Sequence, residues 1–124
     1  MAKNPQANEM YEALREQTQH YFRTIVFGSY ARNEAYSSSD IDVLIIDESF
    51  SGWNVDVPAS DLSINWDSSF QELHLLTCSK TEFESRFFDE NTVVQVICEE
   101  GFALNTSFGL TDYVSDLKKE QQFS

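Results

Sequence analysis

The run Asp40-Ile41-Asp42-Val43-Leu44-Ile45-Ile46 limits the possible folds more than any other stretch of the chain. Its first half alternates acid and apolar residues, and its second half is apolar at every position. Alternation marks a strand with one wet face, and a continuous apolar run marks a strand covered on both faces. Asp47 ends the run. A second, shorter run, Thr24-Ile25-Val26-Phe27, is mostly β-branched and aromatic and stops at Gly28, which reads as a buried strand followed by a turn. Phe70 to Thr77 reads as a third strand, with Glu72 and His74 on one face and Leu73 and Leu75 on the other.

Helical periodicity fills the intervals. Met10, Ala13, Leu14, Gln17 and Tyr21 recur at three- and four-residue spacing, which predicts a helix over 8–22 capped by Asn8. Residues 29–33 are expected to open a short helix capped by Ser29. Ser79-Lys80-Thr81-Glu82 has the form of a capping box and predicts a helix to about Phe88. Asn91 is expected to cap another helix running to Glu100, stopped by Gly101. Residues 102–104 read as a final short strand and 111–120 as a terminal helix. Glu48 to Ser69 reads as loop, with a helical turn near Pro58 to Ile64; its Trp53, Val55, Val57, Leu62, Ile64 and Trp66 imply that it packs. The expected fold class is therefore α/β in the broad sense (α+β), a small mixed β-sheet with helices packed on it.

The 124 residues are expected to form one domain spanning 1–124. Apolar residues make up 41% and aromatics number 17, enough to exclude intrinsic disorder. Eight basic residues against 21 acidic ones leave a net charge of −13. That charge repels phosphate backbones and argues against direct nucleic-acid binding. No apolar run reaches membrane-spanning length, residues 1–19 lack a signal-peptide core, and Cys78 and Cys98 show no metal-ligand spacing. The expectation is a cytoplasmic protein with reduced thiols and no membrane contact. Between Arg32 and Lys80 there is no Lys or Arg but nine acids. They form either a solvated surface suited to high salt or, at Asp40 and Asp42, a site that concentrates divalent cations.

The residues that carry chemistry are Gly28-Ser29 and Asp40-Ile41-Asp42. Gly28 lets backbone approach a ligand after a strand. Ser29 offers a hydroxyl and a backbone N–H where phosphate is favoured. Asp40 and Asp42, two apart on a strand, project from one face and can chelate a divalent cation. A phosphate cradle facing a carboxylate pair is what metal-assisted phosphoryl chemistry needs.

Gly28-Ser29, ten residues, then Asp40-x-Asp42 resembles the G-S-x10-D-x-D signature of the polymerase-β-like nucleotidyltransferase superfamily. Tyr30-Ala31-Arg32 and Ser39 to Ile45 resemble its flanking G-S-[YFR]-A-R and S-D-I-D-L-L-V patterns, although Asn33 stands where Gly is common. Glu72 to Thr77, Thr81 to Glu84 and Glu99 to Leu104 are similar to the later motifs of the minimal nucleotidyltransferases, and the likeness covers a core of about 23–104. The resemblance implies transfer of NMP, with AMP from ATP as the expected case, and loss of pyrophosphate. It implies that Gly28 and Ser29 hold the triphosphate with help from Arg32. It further implies that Asp40, Asp42 and Glu72, the third carboxylate, ligate two Mg²⁺ ions. Glu72 is also a candidate base toward the acceptor hydroxyl. His74, on the face of Glu72, either flanks the site or binds metal or, the favoured expectation, packs at a strand end; His20 is expected to face solvent.

Many minimal nucleotidyltransferases pair with a small helical HEPN toxin and silence it by adding AMP to a tyrosine. The resemblance therefore implies an antitoxin whose acceptor is a protein hydroxyl; Phe50, Trp53, Phe87, Phe88 and Phe108 are candidates for a docking patch or, equally, for the core. The alternative is a catalytically silent module of the same fold that neutralises its partner by contact.

Overall fold

A computed structural model of the chain describes residues 6–36, 39–104 and 110–123. Helix α1 spans Ala7–Thr18 and is followed by strands β1 (Arg23–Phe27) and β2 (Ile41–Ile46). A two-residue strand β3 (Trp53–Asn54) and a 3-10 turn (Ala59–Leu62) precede β4 (Leu73–Cys78). Helices α2 (Lys80–Phe88) and α3 (Thr92–Glu100), strand β5 (Phe102–Ala103) and helix α4 (Leu110–Phe123) complete the order.

The five strands form one mixed sheet in the order β3-β4-β2-β1-β5. Strand β2 runs antiparallel to β1 and parallel to β4, and the two edge strands pair antiparallel with their neighbours. Successive side chains of β2 go to opposite faces, so its apolar half feeds two cores. Ile41, Val43 and Ile45 join Met10 and Leu14 of α1, with Ile64 from the loop after the 3-10 turn. Leu44 and Ile46 join Phe83, Phe87, Val94, Ile97 and Leu117 from α2, α3 and α4. Residues 43–46 are therefore buried on both faces, while Asp42 is only partly buried and Asp40 is exposed. The strand is dry at one end and wet at the other.

Local chemistry explains most element ends. The Ser79 hydroxyl accepts the Glu82 N–H at 3.0 Å, and the Asn91 side chain accepts from Val93 and Val94, so α2 and α3 start where their caps predict. Helix α1 differs: it begins at Ala7 without a side-chain cap from Asn8 and ends at Thr18, not at Phe22. The cause lies in the partners of its last residues. The Thr18 hydroxyl donates back to Leu14 O, Tyr21 N–H closes a turn on Thr18 O, and the Asp47 carboxylate takes the Phe22 N–H at 2.9 Å. Asp47 thus ties the entry of β1 to the exit of β2.

The expected short helix at 29–33 is instead a set of turns. Arg32 N–H reaches Gly28 O, Asn33 N–H reaches Tyr30 O, and Glu34 N–H reaches Ser29 O, with Asn33 at φ +61°. The left-handed Asn33 ends the winding after one turn. Strand β4 begins at Leu73, three residues later than expected, because Phe70 closes a turn on Asp67 and packs on Trp66. The 48–69 segment packs in part: Ile64 is buried, whereas Val55 is exposed. Among the described residues no helix is long and apolar enough to cross a membrane. Cys78 and Cys98 are free, and burial pushes their thiols up to about 12 and about 11, so both stay protonated near neutrality.

Candidate active site

The wet end of β2 meets two other strand ends. In register, Phe27 of β1 lies opposite Asp42 on one side and His74 of β4 lies opposite it on the other. Gly28 follows Phe27 with φ +75°, and a Cβ there would stand 2.2 Å from Asp42 Oδ2. Glycine is therefore required twice, by conformation and by the approach of the carboxylate. The ten-residue spacer between Ser29 and Asp40 is anchored at both ends, because the buried Tyr30 hydroxyl donates to Ser39 O at 2.9 Å.

Asp40 and Glu72 come to the same place from neighbouring strand entries. Ile41 N–H donates to Glu72 O, which continues the parallel β2–β4 ladder one step past its last paired residues. Both side chains are exposed and line an open cavity of about 490 Å³ with Asp56, Val57, Pro58, Leu73 and His74. Asp42 is not among the residues that line this cavity and is linked to it through His74.

His74 is not packed at a strand end, contrary to expectation. Its side chain keeps 46% of its exposure; Nδ1 lies 2.9 Å from Asp42 Oδ1 and Nε2 lies 2.9 Å from Asp56 Oδ1. The bond to Asp42, joined by the one to Asp56, raises the imidazole above its ordinary range against a smaller opposing effect of burial. His20 is exposed, as expected, and lies against Tyr21.

Arg32 reaches the opposite side of Gly28, and it is already engaged. Its guanidinium donates to both Glu100 oxygens, at 3.2 and 3.1 Å, and to Glu34 at 3.3 Å. These bonds, with Glu100 first, raise its already high affinity for a proton. Glu100 Oε1 also accepts the Gly28 N–H at 2.9 Å. The last residue of α3 therefore fastens the turn that carries Gly28 and Ser29. Gly101 makes this possible: a Cβ there would lie 2.8 Å from Ile25 Cγ2 and 2.5 Å from Ile97 O, so the α3–β5 junction sits flush on β1.

A family model described as a nucleotidyltransferase domain matches residues 8–100 of this chain. The chain belongs to that family. No curated protein and no solved structure gives a significant match. The five-stranded mixed sheet with its packed helices is consistent with the polymerase-β-like nucleotidyltransferase fold, and the general activity of the domain is nucleotidyl transfer. The matched segment ends at Glu100, the residue that grips Gly28 and Arg32.

Within this nucleotidyltransferase the sequence-predicted residues fall into two sets. Asp40 and Glu72 share one cavity at the β2 and β4 entries, Asp42 lies outside its lining against Gly28 and His74, and Gly28, Ser29 and Arg32 belong to one turn. Glu100 and Asp56 join the site without having been singled out by the sequence pattern. Carboxylate oxygens suit a hard cation such as Mg²⁺, so the donor chemistry fits the ions that the resemblance implies. Among the described residues, no three acids, histidines or cysteines are already drawn together as a metal-binding group. Among the described residues the docking candidates do not form an exposed surface. Phe87 is buried, Phe50, Trp53 and Phe88 pack partly against the cores, and Phe108 lies outside the described residues. The exposed large apolar side chains among those described are Tyr36, Val55, Val93 and Val96.

Proposed function

We propose that this nucleotidyltransferase moves AMP from ATP, with Mg²⁺, to a tyrosine hydroxyl of a small helical HEPN-type partner and so acts as its antitoxin. The observation that carries the transfer chemistry is the contact between Gly28 and Asp42. A backbone with no side chain lies directly against a strand-borne carboxylate, beside a cavity lined by three more acids, Asp40, Asp56 and Glu72. Asp40, Asp42 and Glu72 would hold the ions, which when bound supply positive charge for the triphosphate and the departing pyrophosphate. Gly28 and Ser29 provide the open turn for the phosphates. Arg32 adds a guanidinium at its edge if it turns from Glu100 or Glu34 toward the nucleotide. Glu72, exposed in the cavity, takes the proton from the acceptor hydroxyl as that oxygen attacks the α-phosphorus and pyrophosphate leaves. The acceptor and the toxin pairing rest on the motif resemblance.

Incubation with Mg²⁺ and ATP labelled at the α- or the γ-phosphate, in lysate of the native host, tests this reading. Label from the α position alone on a discrete small protein, lost in Asp40→Asn and Asp42→Asn, is the expected result. Transfer that survives Asp42→Asn overturns it.

A second reading has its own support. Asp42 Oδ1 is bonded to His74 and Arg32 is bonded to two acids, which suits a silent binding module. Tight partner binding with no label at any salt concentration selects that reading.

A further inference from the structure

We propose that His74 and Asp56 are positioning residues for Asp42, with His74 setting the rotation of its carboxylate and Asp56 setting the rotation of His74. The proposal rests on the reading of Asp42 as a metal-holding carboxylate.

The geometry around Asp42 leaves its two oxygens distinct tasks. Oδ2 occupies the space that a Gly28 side chain would fill, and Oδ1 lies 2.9 Å from His74 Nδ1. An aspartate has only two rotatable bonds, so one such contact on each oxygen defines the plane of the carboxylate. The pairing is set by the fold: the parallel register of β2 and β4 puts Asp42 and His74 opposite each other. An imidazole on one strand can then hold a carboxylate on the next without adjusting the backbone.

Asp56 comes to His74 through an irregularity in the sheet edge. Asn54 pairs with Thr77, yet Val57 N–H bonds Leu75 O at 3.0 Å. The chain takes three steps from Asn54 to Val57 while β4 takes two, the count of a bulge, and bulges redirect side chains. Asp56 stands in that bulge at φ +52°, the left-handed region that Asp enters more readily than most residues with a Cβ. Its side chain is 80% exposed, so burial does not hold it there. The contact that it makes from the bulge is the 2.9 Å bond to His74 Nε2. Because each imidazole nitrogen faces a carboxylate, His74 is fixed at both ends, as are histidines whose outer partner orients them toward a metal site.

Mn²⁺ titration followed by electron paramagnetic resonance, with no nucleotide present, reads the carboxylates directly. His74→Ala is expected to weaken Mn²⁺ binding by about tenfold, the scale of a lost orienting partner. His74→Asn, whose amide nitrogen falls near the position of Nδ1, is expected to restore most of that loss. Asp56→Ala weakens binding in the same direction by less, and adds nothing in the His74→Ala background. Thermal melts of all three variants show that the fold is retained; the exposed Asp56 serves where a His74 variant fails to fold. If wild type binds Mn²⁺ and His74→Ala binds it equally or more tightly, the positioning role is overturned and the reading of Asp42 stands. If wild type binds no Mn²⁺ in a titration to millimolar concentration, the reading of Asp42 falls and this proposal with it.

Discussion

The two sides of Asp42 are built on one plan with different chemistry. On the turn side a cation, Arg32, is held by an acid from a distant element, Glu100 of α3. On the loop side a cation, His74, is held by an acid from the sheet-edge bulge, Asp56. The turn side also has a backbone bond, Gly28 N–H to Glu100, and its acid is mostly shielded from water, with 17% of its side chain exposed. The loop side has an exposed histidine and a more exposed aspartate. Arginine keeps its charge at every accessible pH, whereas histidine does not. One side is thus permanently fastened and the other responds to its surroundings.

The largest expected effect strikes the seam between the two sides. Gly28→Ala forces a Cβ into a left-handed backbone and onto Asp42 Oδ2. It should cost about 2–5 kcal/mol, the sum of the conformational penalty and an overpacked contact, read by denaturant melts. A melt unchanged from wild type would show that the turn can reseat and that the two sides are not rigidly joined.

Next comes the permanent fastening. Glu100→Ala leaves the Gly28 N–H without its acceptor and should cost about 1–3 kcal/mol. Glu100→Gln keeps an acceptor oxygen and should recover part of the loss. Since Glu100 also holds Arg32, Arg32→Ala should add less in the Glu100→Ala background than in wild type, a non-additivity that a double-mutant cycle measures.

The loop side should show itself through pH. His74 in the folded protein has its proton affinity raised, chiefly by Asp42 and also by Asp56, with Asp40 and Glu72 lining the same cavity. A raised folded value means that the stabilisation is complete below the unfolded value of about 6.5 and is lost as pH rises through the folded one. The melting temperature of wild type relative to His74→Asn should therefore be greatest near pH 6 and shrink toward pH 8. Solvent around the half-exposed ring keeps the effect small. A pH-independent difference would remove the contrast between the two sides.

The smallest effect belongs to Glu34, an exposed partner of Arg32. Its replacement by alanine should leave the thermal melt unchanged, because Glu100 remains.

The sequence makes some of this site readable and hides the rest for a physical reason. Strands β1, β2 and β4 announce themselves because a buried strand must be apolar at consecutive positions, and α2 and α3 because Ser79 and Asn91 are side-chain caps acting within four residues. Gly28, Asp40 and Asp42 are readable for the same reason, since their relation is a spacing along one stretch of chain. Strand β3 hides because two residues with one half-buried Trp53 carry no periodicity. His74 shares the face of Glu72 in any reading of its strand, but its partner Asp42 is supplied by parallel register, which leaves no local mark. Asp56 depends on a bulge among loop-forming residues. Glu100 did leave a signal: an acid at the last position of a helix opposes the helix dipole, and such a residue invites the question of what holds it there.

The position of Glu100 along the chain has a consequence for how the molecule is made. Strands β1 and β2, with the turn between them, are contiguous and can pair as soon as both have left the ribosome. The acid that fastens the turn is made only after β4, α2 and nearly all of α3. A nascent chain therefore displays Gly28, Ser29, Asp40 and Asp42 well before the turn has its anchor, and a truncation before the last turn of α3 would keep every residue of the G-S-x10-D-x-D spacing while leaving the turn untied.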